Sequence, residues 1–237
     1  MSVEVNGSKT EEKSTEISSK TLGVILPFEK NGEYYVEVLG ELPPKPVYEF
    51  FKRFFDIVAS GIGLVIGAMP MLAIALMVKY TSPGDIFFHQ ERLGKNGEKF
   101  DIIKFRTMVP DAEKLGAQWC VDEDNDPRFT KIGRVLRKLH IDELPQLWCI
   151  FTGHMSIVGP RPERKVFYDE FEKYIHGFSQ RLLVKPGLTG HAQVNHKLKP
   201  EEKIMYDIEY IKKRSLWVDF ELIIETVFYW MEKRSSL

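Results

Sequence analysis

Two carboxylates stand side by side in HIDELPQLW, residues 140–148: Asp142 and Glu143, with Pro145 close behind. Paired acids at such a position do one of two things. Beside a helix N-terminus they complement the dipole and cap free N–H groups. Gathered with cations, they hold a divalent metal or act on phosphate groups. The neighbourhood favours the second use. GRVLRKLH (133–140) supplies Arg137 just before the pair, and the rigid segment VGPRPERK (158–165) supplies Arg161 just after it. Carboxylates and arginines around one point make an anionic-ligand site. Each arginine taken alone reads more readily as a solvated charge or an ion-pair partner.

Helices must carry this pair. TKIGRVLRKLH (130–140) has helical spacing, with Ile132, Val135, Leu136 and Leu139 on one face and Thr130 as N-cap. Pro145 opens a second helix, LPQLWCIFTG, which Gly153 closes. Asp142 and Glu143 therefore sit at a helix–helix junction. Upstream, residues 86–108 alternate as a β-hairpin around Gly94-Lys95-Asn96-Gly97. A short helix is expected at 110–118, followed by an acidic loop. DEDND (122–126) in that loop lacks the Gly and closing Glu of an EF-hand calcium loop. A further helix is expected at 163–176, and VKPGLTGHAQVNHK (184–197) reads as a turn-rich loop. The fold class is α+β, mainly helical with a small β-hairpin or sheet.

IVASGIGLVIGAMPMLAIALMV (57–78) contains no charged residue. As a helix it runs roughly 33 Å, close to the roughly 30 Å of bilayer hydrocarbon. It reads as a membrane helix, with a buried soluble helix as the alternative. Pro70 in its middle removes a backbone hydrogen bond. Lys52 and Arg53 on one side and Lys79 on the other put positive charge at both ends. Positive charge marks the cytoplasmic side, so a segment that bends at Pro70 and returns satisfies both flanks; a kinked span is the other reading. In SLWVDFELIIETVFYWMEKRSSL (215–237), Trp217, Phe220, Ile224, Val227, Phe228 and Met231 form one stripe. That stripe packs either into a core or into a membrane interface.

Residues 1–20 are polar and read as a disordered tail with no leader-like pattern; residues 21–47 read as a loosely held accessory extension turning at Asn31-Gly32 and ending in the stiff linker PPKP. The 48–80 segment is then the membrane helix and 81–237 the catalytic domain, ending in the C-terminal interfacial helix. A net charge of −1 argues against nucleic-acid binding through overall positive charge. Cys120 and Cys149 have no metal-ligand spacing and read as reduced thiols.

KRFFDIVAS (52–60), SPGDIFFHQERLGKNGEKFDIIKFRTM (82–108), IGRVLRKLHIDELPQLW (132–148), MSIVGPRP (155–162) and VKPGLTGHAQVN (184–195) resemble, in this order, the bacterial sugar transferases called monotopic phosphoglycosyl transferases. The resemblance spans roughly residues 48–230. It implies transfer of a sugar-1-phosphate from a UDP-sugar to polyprenyl (undecaprenyl) phosphate, with release of UMP and initiation of glycan assembly. It also implies Mg2+ held by Asp142 and Glu143, Asp142 as a covalent nucleophile, and Arg137, Arg161 and Lys197 on phosphate oxygens. The apolar segment becomes a re-entrant helix broken at Pro70, in the bacterial inner membrane, with the catalytic domain on the cytoplasmic face. Downstream glycosyltransferases become potential partners. His191, His196-Lys197, His154 and Met69 depart from the family pattern; lysine keeps the charge of the usual arginine but not its bidentate fork. The rival functions are a non-catalytic membrane adaptor of the same shape and a magnesium-dependent phosphohydrolase that uses water as acceptor.

Overall fold

The computed structural model describes residues 28–112, 114, 126–195 and 199–235. Strands β1 (Phe28–Lys30) and β2 (Glu33–Tyr35) form an antiparallel hairpin. Asn31 and Gly32 take positive φ, the conformation a tight two-residue turn demands. Helix α1 (Pro46–Thr81) follows, entered through a proline whose missing N–H costs nothing there. Strands β3 (Phe87–Leu93) and β4 (Lys99–Phe105) make the expected hairpin, in register from Phe87↔Phe105 to Leu93↔Lys99. Next come α2 (Lys131–Lys138), a 3-10 turn (Ile141–Glu143) and α3 (Gln146–Thr152). The remaining elements are β5 (Ser156–Val158), α4 (Lys165–Phe171), β6 (Ile175–His176), a 3-10 segment (Phe178–Leu183), β7 (Gly187–Thr189), α5 (His191–Val194), α6 (Pro200–Lys213) and α7 (Leu216–Ser235).

The expectation of a loosely held extension gives way. β2 pairs in parallel with β6, Val36 is buried among Phe171, Ile175 and Phe178, and the Leu39 N–H donates to Gln180 Oε1 at 2.6 Å. Residues 43–45 are pinned as well: Arg214 donates to the Pro43 carbonyl, and Lys45 to the Arg214 carbonyl. The helix expected at 163–176 is shorter. After Phe171 the Glu172 carboxylate takes the N–H groups of Gly177 and Ser179, which folds the chain into β6 instead. Val135, expected on the inner face of α2, is half exposed while Leu136 is buried. The helix expected at 110–118 lies largely outside the described residues, as does most of DEDND.

Both flanks of Pro70 in α1 are held by the same domain. On the N-terminal side Gly61 lies against the Phe151 ring and Gly63 against Leu147, both from α3. Arg53 donates to the carbonyls of Ile150 and Phe151 in the last turn of α3. On the C-terminal side Ile74 and Val78 are buried with Phe105 and Leu136, and Arg106 donates to the carbonyls of Ser82 and Pro83. Between these anchors Val65, Ile66, Met69 and Leu72 are exposed. Only 11% of the most apolar window of α1 is covered by protein, so a buried soluble helix is excluded; its length and composition suffice to cross a membrane. The α7 stripe settles the same way. Trp217, Phe220, Ile224, Val227, Phe228 and Met231 are all exposed, so the stripe is not core. Apolar area of this extent left in contact with solvent belongs to a membrane-associated protein.

Candidate active site

The acid pair sits in a short, tightly specified corner. Thr130 caps α2 by accepting the Gly133 N–H at 2.9 Å, worth about 1 kcal/mol in comparable caps. A Cβ at Gly133 would lie 1.9 Å from the Thr107 carbonyl oxygen, so only glycine allows α2 to press on the strand end. His140, left-handed at φ 54°, ends the helix and turns the chain into the 3-10 turn that carries both acids. Pro145 and then α3 follow, closed by left-handed Gly153 at φ 96°. The predicted helix–junction–helix is observed.

Both acids are buried, and they differ. Glu143 is clamped: Lys104 donates to Oε1 at 2.5 Å, and Arg161 spans Oε1 at 2.6 Å and Oε2 at 3.3 Å. Burial alone would raise the Glu143 carboxyl, but Arg161 and Lys104 outweigh it and hold it well below the usual range. Asp142 is only 1% exposed, and its Oδ1 has no hydrogen-bond partner. Burial first, and the Glu143 charge second, push it up to about 6, against the pull of Lys104, Arg137 and Arg161. A buried carboxylate with an unbonded oxygen is poorly solvated and titrates higher than usual, the condition of a reactive group rather than a cap. Neither side chain takes a capping hydrogen bond: those of Glu143 come from Lys104 and Arg161, and Asp142 Oδ1 has none.

Arg161 is delivered by a loop fixed on three sides. Gly187 N donates to the Pro160 carbonyl, Arg181 Nη2 to the Arg161 carbonyl and Arg92 Nη1 to the Pro162 carbonyl. Arg181 is itself in a fully buried ion pair with Asp207 at 2.6 Å. Glycines 159, 187 and 190 touch through their backbones, where a Cβ would come within 2.1–2.4 Å of a neighbour. The Arg161 side chain remains 37% exposed, so the acid pair opens outward through it. Arg137 lies over the Phe129 ring at 5.3 Å, and its charge reaches Asp142. Lys104, Arg137 and Arg161 thus bring positive charge to bear on the two acids, a setting suited to phosphates.

Residues 47–233 match the bacterial sugar transferase family. The chain belongs to that family. Its relatives include a UDP-N-acetylgalactosamine-undecaprenyl-phosphate N-acetylgalactosaminephosphotransferase of Aeromonas hydrophila, 43% identical over 80% of this chain and 45% of the relative. A UDP-glucose:undecaprenyl-phosphate glucose-1-phosphate transferase of Escherichia coli (strain K12) is 39% identical over 81% of this chain and 44% of the relative. The exopolysaccharide production protein ExoY of Rhizobium meliloti is 35% identical over 77% of this chain and 86% of the relative. The chain thus spans less than half the length of the first two.

Within this bacterial sugar transferase the sequence-predicted residues divide. Asp142, Glu143 and Arg161 converge, and Arg137 is within electrostatic reach of Asp142. Pro70 sits inside α1. Lys197 and His196 lie outside the described residues, as does Cys120; Cys149 is a buried free thiol. His191 packs edge-on to Tyr206, 4.9 Å between centroids, in the core. Among the described residues no set of three His, Cys, Asp or Glu side chains is placed to hold a metal. Sequence reasoning missed Lys104. Its signal was present: on β4 it shares the buried face with Phe100 and Ile102, and a lysine there requires an acid.

Proposed function

We propose that this chain moves a sugar-1-phosphate from a UDP-sugar to polyprenyl phosphate at a membrane surface and releases UMP. The observation that carries the reading is the inequality of the two acids: Asp142 buried with its Oδ1 unbonded, beside a Glu143 clamped by Lys104 and Arg161. The names of the relatives, undecaprenyl-phosphate sugar-1-phosphate transferases, support the same substrates.

In the first step a carboxylate oxygen of Asp142 bonds to the β-phosphorus of the donor. The bond from that phosphorus to the bridging oxygen breaks, and UMP leaves with the oxygen. In the second step an oxygen of the lipid phosphate bonds to the same phosphorus. The acyl-phosphate bond between Asp142 and phosphorus breaks, which regenerates the carboxylate and yields the lipid diphosphosugar. Two displacements of this kind are nucleophilic catalysis. Arg161 and Arg137 bind phosphate oxygens and offset the repulsion between donor and nucleophile, and Lys197 adds a further cation for that role.

A magnesium ion fits. Mg2+ is commonly held by one or two carboxylates together with substrate phosphates. Asp142 offers a buried oxygen with no other partner, and Glu143 lies beside it. These two residues would hold the ion, which when bound neutralises phosphate charge. The purified chain is tested with UDP-N-acetylgalactosamine, UDP-glucose and UDP-galactose. Repeated turnover to UMP should require undecaprenyl phosphate; without lipid the enzyme should release a single equivalent of UMP and its intact mass should rise by one sugar phosphate. UMP release indifferent to lipid would indicate the phosphohydrolase instead, and no UMP with any donor the adaptor.

The re-entrant anchor belongs to this reading. A straight α1 would be about 54 Å long at about 1.5 Å per residue, yet anchors on either side of Pro70 reach one domain. Bending at Pro70 inside one leaflet of the bacterial inner membrane keeps both flanks on the cytoplasmic face, where UDP-sugars are dissolved. Cysteines introduced at Phe50 and Ser82, with Cys120 and Cys149 replaced, should both label from that face in sealed vesicles. Labelling of the two from opposite faces would make α1 a span.

A further inference from the structure

We infer that Gln146 is a catalytic residue of the proposed transfer, donating its amide N–H to a phosphoryl oxygen of the diphosphate that Asp142 attacks; this rests on the function proposed above. Gln146 is 2% exposed, and its Nε2 has no acceptor. Buried polar side chains are nearly always bonded, and an exception calls for an explanation. Here there are two exceptions four residues apart, Asp142 Oδ1 and Gln146 Nε2. Leu144 and Pro145 between them are right-handed helical at φ −53° and −62°. The chain therefore runs on right-handed from the 3-10 turn into α3, and Gln146 follows Asp142 in the next turn of that path. An orphan acceptor and an orphan donor thus stand in successive turns without bonding each other.

The chemistry of the donor is what the site needs. Lys104 and Arg161 are engaged with Glu143. A neutral amide can donate to an anionic phosphoryl oxygen and leave the carboxylate free. The amide is also rigidly placed. Its neighbours on α3, Leu147, Cys149 and Ile150, pack against Gly63 of α1 and the Phe100–Ile102 face of β4.

The test compares wild type with Gln146→Met, which keeps length and removes the amide. Single-turnover UMP release at saturating UDP-sugar should fall about 10²-fold. Affinity for UDP, measured by calorimetry with magnesium present, should weaken at least about threefold. The melting midpoint should stay or rise, because an unbonded buried amide is being replaced by an apolar chain. A merely structural glutamine would give the reverse, a lower midpoint with wild-type affinity and rate, and that result overturns the inference. Should Gln146→Met not fold, Gln146→Asn withdraws the amide by one methylene, and a wild-type rate there is equally fatal. If the wild type itself releases no UMP, the transferase reading fails, and the UDP affinity of the variant still decides the role of Gln146.

Discussion

Asp142→Asn should remove the lipid-linked product and the phosphosugar adduct together, lowering turnover by at least about 10⁴-fold. Asparagine matches aspartate in shape and supplies no anionic oxygen, so the first phosphorus–oxygen bond cannot form. The fold should be unharmed, and linkage gives the sign. The folded-state value of Asp142, about 6, lies above the ordinary carboxylate value, so the native state holds that proton more tightly than the unfolded chain. The resulting stability is present below about pH 4 and is lost as pH rises through about 6. Above that, the buried charge is a net cost of up to about 3 kcal/mol at 1.36 kcal/mol per pKa unit. The asparagine variant escapes that cost. Its melting midpoint at pH 7.5 should equal or exceed that of the wild type, and the gap should close towards pH 4. Undiminished product from this variant would sink the mechanism. A variant that melts far lower would make Asp142 a structural group.

The residues around the pair were legible because their signals are local. Thr130 as a cap, Pro145 at a helix entry and Gly153 at a helix exit each report the conformation of the three or four residues beside them. The β3–β4 hairpin was legible from alternation and the Asn96-Gly97 turn. Lys104 was readable by the same alternation, but only once a charge on the buried face is treated as a demand for a partner. Other features are written in no local pattern. The parallel pairing of Tyr34 with Ile175 joins residues 141 apart, so a segment that resembles a loose extension is in fact a sheet strand. Arg181 and Asp207 come together only when α6 packs on the 3-10 segment before β7. The end of α4 depends on Glu172 reaching forward to Gly177 and Ser179. The α7 stripe shows the limit of periodicity itself. A 3.6-residue repeat says that one face is apolar and is silent on whether protein or lipid covers it.

Arg161→Ala should slow the enzyme by about 10²–10³-fold and move its pH dependence in a predictable direction. Arg161 acts twice, on substrate phosphates and on the acid pair. Its charge is among those that pull the Asp142 carboxyl down against burial and against Glu143. Removing it takes away a cation, so Asp142 must titrate higher than about 6. The rising acid limb of kcat/KM, which reports the nucleophile of the free enzyme, should shift to higher pH. Glu143 keeps Lys104 at 2.5 Å and remains paired, so the fold should survive. Arg161→Lys restores charge without the fork that spans both Glu143 oxygens. It should return the acid limb most of the way and recover the rate only in part. A limb that stays in place with the rate undiminished would take Arg161 out of both roles. Loss of rate without the shift would confine Arg161 to substrate binding. The two roles of this arginine are therefore separable by one pH series on three proteins.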